Sequence, residues 1–229
     1  MIYIYGPHGS HLNYLTFLCH CLYKKVYIKI ESDIYDGWQL SKNLKSIKFQ
    51  TVYDSTQVPT LHDIVIGIDI NDKLYWAYQL LTRAPLDNMG KSKQLTMDEF
   101  ESDPLYYCLN SDHMAPMARG LKITSKIKDK DKRKSHLAKV LREYFVEGND
   151  IGITKKLKPY CEHNLNVTDF FYDDILYRKL SEIFQGLFSK SIDRHLFEKL
   201  TSDFRTKILY TPTKIQNSNY AVNLAFKSQ

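Results

Sequence analysis

Apolar and polar positions alternate along this chain on two periods, and the switches between them mark its elements. Ile2 to Tyr5 is a short apolar run, as a strand buried on both sides requires. It leads into Gly6-Pro7-His8-Gly9-Ser10-His11, and residues 10 to 23 then carry apolar side chains on nearly every helical face. Leu12, Leu15, Cys19 and Leu22 make one stripe, while Tyr14, Phe17, Leu18 and Cys21 fill the others, which predicts a fully buried helix. Val26, Ile28 and Ile30 alternate with Tyr27 and Lys29 and predict a second strand over 26 to 30; residues 48 to 53 predict a third. Ile64 to Ile68 is a continuous apolar strand of the kind found in a covered parallel sheet. Asn71 stands where a helix cap belongs, with Asp72 at the helix's positive end. Leu74, Tyr75, Tyr78 and Leu81 would form the stripe of that helix, and Pro85 its end.

Residues 86 to 120 keep no sustained period; Thr96 and Glu99 have capping-box spacing, but Pro104 stops anything long. Regularity returns over 132 to 146, where Leu137, Val140, Leu141, Tyr144 and Phe145 give a core face. Val167 to Tyr172 predicts a late strand. Residues 174 to 188 predict a helix through Leu176, Leu180, Ile183, Phe184 and Leu187, and residues 191 to 208 another through Leu196, Leu200, Phe204 and Ile208. This order predicts an α/β fold, a three-layer, mostly parallel sheet with helices on both faces. One domain would span residues 1–209, with an irregular or helical insertion at 86–150 and a polar C-terminal arm at 210–229. Ligands of such sheets sit at the carboxyl ends of the strands, so residues 6 to 11 and 69 to 72 would border one crevice.

Composition narrows the class. The chain has 229 residues, 43% hydrophobic and 25% charged, which suits a globular protein with an ordinary core. No apolar stretch approaches the ~20 residues that span a bilayer, so no membrane partner is expected. Lys24 and Lys25 follow the first apolar run and no cation precedes it, unlike a signal peptide. Cys19, Cys21, Cys108 and Cys161 contain no CxxC, which argues against a zinc or dithiol site and for reduced thiols. The abundance of Tyr, Lys, Ile and Asn fits an AT-rich genome, viral or microbial; the expected location is the cytoplasm, or the host cytoplasm or virion of a virus.

Charge is concentrated rather than spread. Net charge is +6, and residues 122 to 134 alone hold seven Lys/Arg against two Asp. Lys122, Lys126 and Lys128 lead this cluster and would attract anions or nucleic acid, or simply hold a solvated surface. Single-strand binding calls for aromatics among the cations, and none lies within 122 to 134.

The loop from Gly6 to His11 carries the most suggestive chemistry. A loop that leaves a parallel strand and opens a helix presents amide donors and the positive end of the helix dipole. Gly6 and Gly9 allow sharp turning and close approach, Ser10 offers a hydroxyl, and His8 and His11 offer ring nitrogens near neutral pKa. A bare turn with Ser10 as helix cap is the competing reading. The GxxxxGK[ST] of nucleoside triphosphatases and the GxGxxG of dinucleotide binders are both absent.

In its layout the chain resembles the sulfotransferase family. In that family a strand, a phosphosulfate-binding loop of the type Pro-Lys-Ser-Gly-Thr-Thr and a buried helix come first; here Gly6-Pro7-His8-Gly9-Ser10-His11 holds the loop's place, with Gly9 and Ser10 matching in type. IVIGIDINDKLYWAYQLLTRA and NVTDFFYDDILYRKLSEIFQGLF stand where the family has its later nucleotide-binding strand and helix and its C-terminal strand and helix. The resemblance implies a P-loop-type fold and 3′-phosphoadenosine 5′-phosphosulfate as donor. It implies a small-molecule or glycan hydroxyl as acceptor and no metal. Gly6, Pro7, Gly9, Ser10 and Asn13 would bind the cofactor, and His8 or His11 would act as base. The departures are specific: Pro7 replaces the loop Lys, the Arg that grips the 3′-phosphate has no counterpart near Ile68 or Asp69, and Trp76 lies near the place of the partner Ser. Two other classes remain open: an inactive viral structural or accessory protein on the same fold, with virion or accessory proteins as partners, and a nucleic-acid-binding protein acting through residues 122 to 134. Lesser constellations are Asp112-His113 as a base pair of residues, Asp173-Asp174 as a metal site or helix cap, Asp69, Asn71 and Asp72 as magnesium ligands, and the acidic loop of Glu31, Asp33 and Asp36.

Overall fold

A computed structural model describes residues 1–7, 10–29, 48–52, 60, 63–73, 76, 117–147 and 158–207. The expectations for His8, Gly9, Ile30, the acidic loop, Thr96 and Glu99, Cys108, Asp112-His113, Ile208 and the arm 210–229 lie outside the described residues. The chain divides into two compact units, one of Met1–Asn71 with Asp150–Tyr210, the other of Asp72–Asn149 with Thr211–Gln229.

In the first unit, β1 (Ile2–Tyr5), β2 (Phe49–Val52), β3 (Ile64–Asp69) and β4 (His163–Asn166) form a wholly parallel sheet in the order β2-β1-β3-β4. Register aligns Ile4 with Thr51 and Ile66, and Ile68 with Leu165. Because side chains alternate, this sends Ile2, Ile4, Phe49, Thr51, Ile66, Ile68 and Leu165 to one face. Tyr3, Tyr5, Val52 and Val65 go to the other, where they pack with Cys161.

The first face is covered by helices. α1 (Leu12–Lys24) is apolar nearly all round and is buried accordingly, from Leu12 through Leu22. Thr16 and Thr51 hydroxyls meet at 2.6 Å, fixing α1 on β2. α1 ends at Lys25, whose left-handed φ of 55° lets its N–H reach the Cys21 and Leu22 carbonyls. Two further helices of this unit are Asp173–Phe188 and Arg194–Lys207. Phe49 joins them to the sheet through ring contacts with Tyr23, Phe184 and Phe188 at 6.0, 6.4 and 6.0 Å.

The second unit holds α2 (Ala118–Ser125) and α3 (Lys130–Arg142), which continues into a π-turn at Glu143–Glu147. In chain order the helices Asp173–Phe188 and Arg194–Lys207 are therefore α4 and α5. α2 and α3 approach closely because Gly120 has no side chain: a Cβ there would lie 2.9 Å from both methyls of Val140. Buried Thr124 adds a 2.8 Å hydrogen bond to His136 Nδ1. Leu137, Val140, Leu141 and Phe145 are buried as their spacing requires, and Trp76 packs on Phe145 at 5.3 Å.

Two expected strands are corrected. Residues 26 to 29 form no strand: Val26, Tyr27 and Ile28 are exposed, and the Tyr27 hydroxyl donates to Asp203 while Lys199 sits over its ring. Alternation there marks an extended segment resting on α5, not a ladder. The late strand lies earlier than Val167 to Tyr172, at β4, and Val167–Phe171 is a 3₁₀ turn. Asn166 and Asp169 form a capping box that bends the chain out of the sheet at that point. Among the described residues, no helix is long and apolar enough to cross a membrane.

Candidate functional site

The strand order sets the place to look. From β1 the chain moves to β2 on one side, then returns past β1 to β3 and β4 on the other. The reversal falls between β1 and β3, and at such a point the loops leaving the carboxyl ends diverge and open a crevice. Gly6, Pro7, Ser10 and His11 after β1 and residues 69 to 71 after β3 flank it.

The described part of the first loop is closed on itself. The Ser10 hydroxyl donates to the Pro7 carbonyl at 2.6 Å, and the Ser10 N–H reaches the same oxygen at 3.2 Å. Ser10 is fully buried, so its donors frame the loop. Gly6 is required by packing: a Cβ there would lie 2.7 Å from Ser10 Oγ and 3.2 Å from Ile68 Cβ. The close approaches that glycine permits at Gly6 are thus to the protein's own Ser10, Leu12 and β3. The helix cap is His11, not Ser10; it adopts φ 63° and gives no side-chain cap, so the cap role expected of Ser10 is corrected.

A buried aromatic cluster packs against His11 beside this loop. His11 lies 5.2 Å from Phe170 and 5.3 Å from Phe204, and Tyr14 stacks on Phe204 at 3.4 Å. Burial pushes the Tyr14 hydroxyl well above its ordinary pKa, so it stays protonated and donates to the Leu200 carbonyl at 3.5 Å. Asn13, on the first turn of α1, is half-buried.

The opposite lip is tied to the turn after β4. Asn71 Nδ2 donates to Thr168 Oγ1 at 2.6 Å, and the Thr168 N–H donates back to Asn71 Oδ1 at 3.3 Å. Asn71 therefore clamps two strand ends, and the expected helix cap is corrected; Trp76 N–H bonds the Asp72 carbonyl instead. Behind the clamp, buried Asp169 accepts from the Asn166 N–H at 2.7 Å and pairs with Lys179 at 2.6 Å. Asp173 pairs with Arg205, which also donates to the Phe171 carbonyl at 2.7 Å. Asp174 pairs with Arg194 at 2.7 Å; neither aspartate caps α4, whose N-cap is Tyr172. Among the described residues, no His/Cys/Asp/Glu group is arranged to hold a metal ion.

Of the residues singled out in sequence, Gly6, Pro7, Ser10, His11 and Asn13 come together at the carboxyl edge. His8 and Gly9 lie outside the described residues. Lys122, Lys126 and Lys128 belong to the second unit. Thr168, Phe170 and Phe204 were not singled out for a site; the one sequence signal for the turn that holds the first two was the Asn166-x-x-Asp169 capping spacing. No protein-family model, no curated protein and no solved structure matches this chain.

Proposed function

We propose that the first unit binds a phosphate-bearing nucleotide in the crevice between the carboxyl ends of β1 and β3. The observation that carries this reading is the strand order β2-β1-β3-β4, which puts Gly6, Pro7 and the start of α1 at the reversal point of a parallel sheet. Amide donors and the helix dipole at that place favour an anion.

The finer proposal is the sulfotransferase-like one. 3′-Phosphoadenosine 5′-phosphosulfate is the ligand to test first, with a hydroxyl compound as acceptor and His8 as base. The residues fit this donor in part. The start of α1 offers amide donors, but residues 6–11 and 69–71 contain no Lys or Arg to oppose an anion's charge. The inward-turned donors of Ser10 favour a second reading, a non-catalytic protein on the same scaffold, in which the loop is a structural turn.

Adenosine 3′,5′-bisphosphate separates the two. A ligand at 100 times its Kd stabilises a protein by about 2.7 kcal/mol, a clear rise in Tm. The nucleotide-binding reading expects that rise with the full chain, and sulfuryl transfer to a hydroxyl acceptor that is lost in His8→Ala. No change in Tm with this or any other nucleotide at millimolar concentration would leave the non-catalytic reading.

A further inference from the structure

The second unit carries a feature that the crevice does not use. α2 and α3 are joined by the short connection Lys126 to Asp129, and their apolar sides face each other through Gly120, Leu121, Thr124, Leu137 and Val140. The outer surface is cationic. Lys122, Lys126, Lys128, Lys130, Lys132 and Arg133 are all exposed, and the acids within 118–142 are Asp129 and Asp131 alone. Asp129 is committed to capping α3, accepting the Lys132 N–H at 2.9 Å. Every residue from Lys130 to Ser135 is exposed, more than one full turn, so the first part of α3 projects with cations on several sides.

We infer that this two-helix surface docks on B-form duplex DNA, with the leading half of α3 in the major groove and Lys122, Lys126 and Lys128 on the phosphates. The inference rests on charge complementarity and on shape. A B-DNA major groove admits one α-helix, and in helix-turn-helix proteins it is the second helix whose N-terminal residues enter. The lack of aromatics among the cations weighs against stacked single strands but not against a duplex, whose phosphates take Lys and Arg directly. An anionic lipid surface fits less well. Binding in a bilayer interface needs a free apolar helix face, and on α3 that face, Leu137, Ala138, Val140 and Leu141, is already buried in the unit. A-form RNA fits less well, because its deep, narrow major groove does not admit the helix.

The test uses the full chain and a fluorescent ~20-base-pair DNA duplex, long enough for about two turns of groove. With Lys122, Lys126 and Lys128 on the phosphates and Lys130, Lys132 and Arg133 reaching those that line the groove, six contacts predict a slope of about −5 in log K against log salt. Reversing three charges in Lys130→Glu/Lys132→Glu/Arg133→Glu should weaken binding at least tenfold and flatten the slope by about 3. Lys128→Glu, in the connection outside both helices, keeps the test open if the triple variant does not fold; it should flatten the slope by about 1. Equal or tighter binding to single-stranded DNA, to duplex RNA or to phosphatidylserine vesicles would overturn the inference. So would DNA binding that ignores salt or is unchanged in both variants.

Discussion

At the scale of single residues, burial decides which groups keep their ordinary chemistry. Cys19 and Cys21 lie inside α1, and burial pushes the Cys21 thiol up to about 12 and Cys19 higher still, so neither is a thiolate near neutral pH. His20, between them, is only half-buried, yet its pKa is lowered by desolvation and by the nearby charge of Lys24. The unfolded chain therefore binds a proton at His20 more readily than the folded one. By linkage, His20 favours folding above its unfolded pKa of about 6.5, and that contribution is lost as pH falls through 6.5 toward the lower folded value. Thermal melts from about pH 7.5 to 5 should show Tm falling with pH, and His20→Gln should flatten the fall. An unchanged slope in the variant would assign the pH dependence to other groups.

At the scale of elements, the turn after β4 does more than connect. Asp169 closes the capping box, bonds the Asn166 N–H and neutralises Lys179, all with one carboxylate that is nearly inaccessible to solvent. Asp169→Ala leaves a partly buried cation and an open backbone donor, and should cost about 3 kcal/mol in denaturant unfolding. Asp169→Asn should recover part of this by keeping the backbone bond. A loss within measurement error would mean that Lys179 finds water instead. These elements also show which parts of the fold were legible. β1, β3 and α1 are buried on several sides and α4 along the single stripe of Leu176, Leu180, Ile183 and Phe184, so their apolar patterns were readable directly. β4 was not: His163, Asn164 and Asn166 are polar residues at the end of the described strand order, and only Leu165 is buried. Phe170 and Phe171 imitate a strand because a 3₁₀ turn also buries neighbouring side chains. Val26, Tyr27 and Ile28 show the converse, since alternation cannot say whether a backbone finds a ladder partner. In the site, the glycine and serine of the loop were legible as turn formers, but the oxygen that Ser10 would choose was not; that depends on Pro7 being folded back over it.

At the scale of the whole molecule, the second unit enters the chain between β3 and β4. β1, α1, β2 and β3 are close in sequence, whereas β4 pairs with β3 only after that long excursion. Contacts between distant segments carry a larger closure cost and tend to form late. Leu165, fully buried opposite Ile68, reports on that step. Leu165→Ala should destabilise by about 2–4 kcal/mol, with the loss appearing as faster unfolding and a nearly constant folding rate. A folding rate that falls in full proportion would instead put β4 in the nucleus.

The same arrangement has a consequence during synthesis. A ribosome adding ~5–20 residues per second leaves β3 without its outer neighbour for on the order of ten seconds. Throughout that interval the hydrogen-bonding rim of Val65, Gly67 and Asp69 is an open invitation to strands of other nascent chains. Translation speed across the inserted segment thus bears on the yield of native protein, independently of how stable the finished sheet is.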